Sequence, residues 1–176
     1  MFIAHLPAGY LVTKGLSRLL PSESIQKVDW KWFVAAGLIG SMLPDFDMLY
    51  FHLIDHRQHL HHGYWTHIPF FWICVFVLWG VLALIGKRVS LGLYGIVVSA
   101  NVFVHLFLDT IVGKVRWLHP FSGRDIVFFH VPSVHNWYVW NFVLHWTFLF
   151  EIALVIGAVY VLIRSRLFDY SSGIRR

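Results

Sequence analysis

Apolar residues gather into four long blocks, at 32–51, 69–86, 91–112 and 138–163, with a shorter one at 2–20. A helix that crosses a bilayer needs roughly 20 mostly apolar residues. The pattern therefore predicts an all-α integral membrane protein. It has about four transmembrane helices plus a short N-terminal helix, in a single domain over residues 1–176. The short helix carries Pro7 near its start and Lys14 and Arg18 toward its end. Residues 21–31 are a polar connection, in which Ser22 is an expected N-cap. The block at 69–86 starts with Pro69, suited to a first helical turn, after Thr66 as an expected cap, and closes on Lys87 and Arg88. The block at 32–51 is interrupted by Gly40-x-x-x-Pro44-Asp45-x-Asp47. Pro44 disfavours a helical Leu43 and breaks or kinks the helix. In an unbroken helix the two aspartates would point about 200° apart; a break lets both approach one site.

Composition supports the membrane reading. The chain is 58% hydrophobic, 18% aromatic and 13% charged, with charge about half that of a soluble domain. The net charge of +5 is scattered around apolar runs, so it fits topology determinants and lipid contacts rather than nucleic-acid binding. Cys74 is the only cysteine and makes no intramolecular disulfide. No basic stretch precedes the first apolar run, so no cleavable signal peptide is expected and His5 stays in the mature chain.

Charge also predicts orientation. With the C-terminus in the cytoplasm, Lys14, Arg18, Lys27, Lys31, Lys87, Arg88, Arg164, Arg166, Arg175 and Arg176 are inside, and Arg57, Lys114, Arg116 and Arg124 are outside. Asp45 and Asp47 then end an outward-going span, and residues 52–67 form an outer loop. His105, Asp109, Asn141 and His145 fall in outer halves of their spans. Four segments deliver metal-type ligands to one membrane face, and His5 joins them if the first helix runs inward.

The stretch 40–67 holds Asp45, Asp47 and Asp55 with His52, His56, His59, His61, His62 and His67. Carboxylates and neutral imidazoles together suit zinc, iron or manganese. So many polar groups are costly to bury in an apolar chain without a partner. His62 and His67 are the expected loop ligands; His52, His56 and His59 fit a solvated face, and His56 and His61 a supporting or substrate role. Asn101, His105 and Asp109 share one helical face. His105-x-x-x-Asp109 offers two ligands to one ion, or else forms a buried hydrogen-bonded pair. Asn141 with His145 fits a ligand role and an interhelical bond equally, and Glu151 fits a structural or supporting role. His119 fits an interfacial turn, and His130 and His135 fit headgroup contacts.

Laid out in order, the chain resembles the YdjM-like family of inner-membrane, metal-dependent hydrolases, first named as LexA-regulated. The matching elements are His5, Gly40 to Asp47, His62 to His67 ending in Thr-His, His105-x-x-x-Asp109, Gly113 and Pro120-Phe121-Ser122. That family in turn is similar to zinc-dependent phospholipase C and the P1-type nucleases, all-helical enzymes with clustered zinc. Two departures stand out. The family's arginine before Thr-His is absent, with Arg57 nearby as a substitute, and His145 and Glu151 lack the His-x-x-x-Glu spacing of the soluble relatives. The resemblance implies one or two divalent ions, zinc first, in the bacterial inner membrane. The ligands expected first are Asp45, His67, His105 and Asp109, then His5, Asp47 and His62. Asp47 or Asp55 is the expected general base toward a metal-bound water. The expected substrate is an ester or phosphodiester, such as a phospholipid, met at the outer interface, with membrane lipids as partners and no nucleic acid. Two other classes stay open. A metal or proton transporter needs polar groups at all depths, which 75–86 and 91–98 hardly offer. A non-catalytic protein with a structural ion needs only a closed site.

Overall fold

The computed structural model describes residues 1–171 apart from Phe2 and Leu60; the side chains of His61 and of 168–171 also lie outside the described set, as do Arg175 and Arg176. Its helices are α1 (His5–Leu19), α2 (Ser22–Ile25), α3 (Trp30–Met42), α4 (Asp47–Leu53), α5 (Pro69–Ile85), α6 (Val89–Val112), α7 (Tyr138–Val143) and α8 (Thr147–Ser171). Among the described residues there is no strand, only one isolated antiparallel bridge between Val115 and Ile126.

Helices α6 and α8 are long and apolar enough to cross a membrane. Helix α3 and the segment Pro44–Leu53 make a third candidate, bent by 57°. At 17 residues, α5 is about 25 Å long at 1.5 Å per residue, short of the roughly 30 Å hydrocarbon core. Length and composition thus mark two spans, or three with the bent pair, against the four expected. The predicted block at 138–163 is two helices, because α7 stops at Val143 and α8 starts at Thr147.

Local chemistry explains several boundaries. Asp29, rather than Ser22, caps α3: its carboxylate accepts from the backbone N–H of Lys31 at 2.8 Å and of Trp32 at 3.3 Å. Pro44 starts a 3-10 turn, Pro44–Phe46, that divides α3 from α4. Pro69 opens α5 at its first turn, but Thr66 does not cap that helix; Ile68 holds the cap position without a side-chain bond.

Helix α6 is the centre of the bundle. Its buried positions, among them Leu93, Val97, Val98, Asn101, Val102, His105 and Asp109, meet α1, α3 and α5. Phe33 of α3 and Trp72 of α5 complete the apolar core around it. Surrounding lipid is as apolar as leucine, so close packing and interhelical hydrogen bonds hold this seam rather than water exclusion. A Cβ at Gly40 would lie 2.7 Å from the Val98 carbonyl oxygen, so α3 and α6 approach backbone to backbone there. One layer below the site, buried Asn101 donates to Thr13 Oγ1 at 3.1 Å and to the Val97 carbonyl at 2.8 Å, tying α1 to α6. The outward faces carry large apolar residues, including Ile73, Val77 and Leu78 on α5 and Leu149 and Ile156 on α8, as a lipid-facing surface requires.

Candidate metal centre

Two chain segments converge beside α6. The turn after α3 brings Asp45. A second 3-10 turn, Trp65–His67, delivers His67 just ahead of α5. Helix α6 supplies His105 and Asp109, one turn apart and almost wholly buried. One ligand atom from each of Asp45, His67, His105 and Asp109 lies within 4.8 Å of the other three.

Asp109 Oδ2 is the focus. It lies 3.0 Å from His105 Nε2, 3.4 Å from His67 Nε2 and 3.6 Å from His62 Nε2. Asp45 Oδ1 closes the group at 3.5 Å from His105 Nε2 and 3.8 Å from His67 Nε2. The other ring nitrogens fix the tautomers. His105 Nδ1–H donates to the Ser41 carbonyl at 2.7 Å, an oxygen that only accepts. His67 Nδ1–H donates to Asp47 Oδ2, also at 2.7 Å. Both rings therefore turn Nε2 toward the same space, with an oxygen acceptor behind each Nδ1, as metal-binding histidines require. His105 Nε2 and Asp109 Oδ2 are buried without a hydrogen-bond partner among the described residues. Burying such atoms unsatisfied is costly, and two imidazoles with two carboxylates suit a borderline divalent cation. The residues fit a metal ion.

Burial opposes a charged His67, but the Asp109 and Asp47 carboxylates outweigh it and push the ring up to about 9. His67 would have to give up that proton to hold a metal ion through Nε2.

The remaining predicted residues take other places. Asp47 faces His67 from behind; its Oδ2 also accepts from Thr66 Oγ1 at 2.5 Å. Thr66 thus acts on Asp47, a role its sequence position beside a proline-led helix conceals. His5 lies on the far side of Asp109: Nε2 is 3.2 Å from Oδ1, and its ring stacks on His105 at 3.9 Å. The amino group of Met1 sits 2.6 Å from the same Oδ1. His62 stands at the rim with 18% of its side chain exposed. Asp55 is in the loop after α4, where it accepts from the His59 backbone N–H at 2.9 Å and from His59 Nδ1–H at 2.7 Å. That pairing lowers its carboxyl to about 2. His52, His56 and His59 are exposed. Arg57 is also exposed, with a positive φ of 65°. Asn141 binds the 134–135 loop through its side chain, while His145 lies between α7 and α8, with Nδ1 2.8 Å from Thr147 Oγ1. Glu151 is buried and accepts from the Ile3 backbone N–H at 2.7 Å. His130 and His135 are exposed.

The Ser41 carbonyl is a further partner that no sequence signal marks, since backbone acceptors are present at every position. No curated protein and no solved structure matches the chain. The family model for YdjM inner membrane proteins matches residues 1–169, and the chain belongs to that family.

Proposed function

We propose that the protein is a membrane-bound, metal-dependent hydrolase that cleaves an ester or phosphodiester of an amphiphilic substrate, such as a phospholipid. One observation carries this reading. Two imidazole nitrogens and two carboxylates converge within 4.8 Å, with the side chains of His67, His105 and Asp109 0–2% exposed and that of Asp45 25% exposed. The donor set is closed on three sides and open on the side of Asp45.

A bound divalent ion supplies Lewis acidity and a water whose pKa falls from 15.7 toward about 7. His67, His105 and Asp109 would hold the ion, and their burial excludes solvent around them. Asp45 stands at the entrance and orients what enters. His62 stands at the rim of this donor set, with its Nε2 3.6 Å from Asp109 Oδ2. Asp47 holds the His67 ring in its tautomer rather than acting on the water, and Asp55, engaged with His59, takes no part. Zinc is the ion of first choice for this donor set. The excess of basic residues on the side of the C-terminus supports a site on the face opposite a cytoplasmic C-terminus, where it would meet lipid of the outer leaflet.

The test is a panel of phospholipids, phosphodiesters and carboxylic esters offered to the protein in nanodiscs, with zinc and with a chelator. Turnover that needs the metal and disappears in Asp45→Asn is expected. Stoichiometric zinc without turnover of any class contradicts the reading. The near-complete burial of three donors favours one other role, a structural ion that staples α3 and the lead into α5 onto α6. Anion titration of the cobalt(II)-loaded protein distinguishes the two: a change in its visible absorption marks an open coordination position, and an unchanged spectrum marks the staple.

A further inference from the structure

Gly113 follows the last residue of α6 with φ −116° and ψ 157°. That is extended backbone, open to any L residue, so the conformation does not call for glycine. The space does. A Cβ at this position would lie 2.6 Å from His62 Nδ1 and would also collide with His62 Cε1. The His62 ring occupies the place a side chain would take. Its other end points at the site: Nε2 is 3.6 Å from Asp109 Oδ2, and the ring lies 4.8 Å from that of His67. The Gly113 backbone is held by its N–H to the Asp109 carbonyl at 2.6 Å. His62 hangs from the loop between α4 and α5, so an added methyl displaces the ring rather than the helix end.

We propose that Gly113 is a positioning residue. Its missing side chain seats the His62 imidazole at the rim of the metal centre, beside Asp109 and His67, as an additional, exchangeable ligand. This rests on the metal reading above. His62 is the imidazole near Asp109 Oδ2 that solvent reaches, with 18% exposure against 0% for His67 and His105. It is therefore the ligand that can yield its place to an incoming group.

The test is zinc affinity of the detergent-purified full chain, by competition with a chromophoric chelator, for the parent, Gly113→Ala, His62→Ala and the double variant. Each single change is expected to weaken zinc about tenfold, at the lower end of what lost support of a metal site does. The double variant is expected to be no weaker than His62→Ala, because the methyl then has nothing to displace. Cobalt(II) absorption gives a second readout: both single variants are expected to shift in the same direction, as one ligand leaves. If Gly113→Ala fails to fold but the double variant folds, the seat is supported. Losses that multiply in the double variant overturn it, as does parent-like affinity in Gly113→Ala. Failure of both Gly113 variants to fold overturns it too, since the new methyl would also lie 3.0 Å from the Asp109 carbonyl oxygen. A parent that binds no zinc overturns this proposal and the metal reading together.

Discussion

Removing Asp47 separates a ligand from a ligand's support. Its Oδ2 accepts from His67 Nδ1 at 2.7 Å and from Thr66 Oγ1 at 2.5 Å. In Asp47→Ala the His67 ring loses the acceptor that holds Nδ1 protonated and Nε2 turned inward. The buried Thr66 hydroxyl loses its acceptor as well. None of the four converging donors, Asp45, His67, His105 and Asp109, is removed. Loss of such support costs about 10–100-fold in metal affinity, or about 1.4–2.7 kcal/mol at 1.36 kcal/mol per decade. Asp47→Asn keeps a carbonyl acceptor for the ring and sheds the charge, so its loss is expected to fall between parent and alanine. Zinc dissociation constants from chelator competition on the purified proteins check this, with Asp109→Ala as the reference for a lost ligand. Parent affinity in Asp47→Ala would refute the reasoning. A loss equal to that of Asp109→Ala would refute it differently, by making Asp47 a direct ligand.

Three further outcomes follow from the geometry. Asn101→Leu removes the bonds from α6 to Thr13 and to its own backbone; it is expected to lower bundle stability by about 1 kcal/mol, the scale of such bonds in membranes, in thermal melts, while leaving one ion per chain. Asp55 has its carboxyl lowered from 3.8 to about 2 by His59, so its tether is present above pH 3.8 and is lost as pH falls through about 2. Hydrogen exchange at the His59 amide is expected to quicken over that window, and Asp55→Asn to abolish the dependence. In a Cys74→Ser background, cysteine at Gln58 is expected to react with an impermeant reagent from outside the cell, and cysteine at Ser165 only after lysis; the reverse pattern inverts the orientation read from the basic residues.

The parts legible in the sequence are those with a local signature. Pro44 marked the break after α3, four-residue spacing put His105 and Asp109 on one face, and apolar length marked α6 and α8. Other parts had no such mark. No proline or glycine separates α7 from α8, yet the helix stops between Val143 and Thr147, so an apolar pattern there reads as one span. A break at Pro44 freed both aspartates, but only three-dimensional packing turned Asp45 toward the ion space and Asp47 toward His67. Ser22 and Asp29 both suit a cap, and their distance from Trp30 decided between them. In the loop after α4, His56 and His59 are exposed while His67 is buried; a surface loop satisfies imidazoles with water at little cost, so a dense run of histidines does not by itself mark which one enters the site.

The measurement that bears most directly on the central claim is metal content of the detergent-purified protein, prepared without chelator, by elemental mass spectrometry. It is run beside a His105→Ala, Asp109→Ala double variant. The account predicts about one or two divalent ions per parent chain and their loss from the folded double variant. A folded parent without bound metal, or a double variant that retains the parent's content, would contradict it.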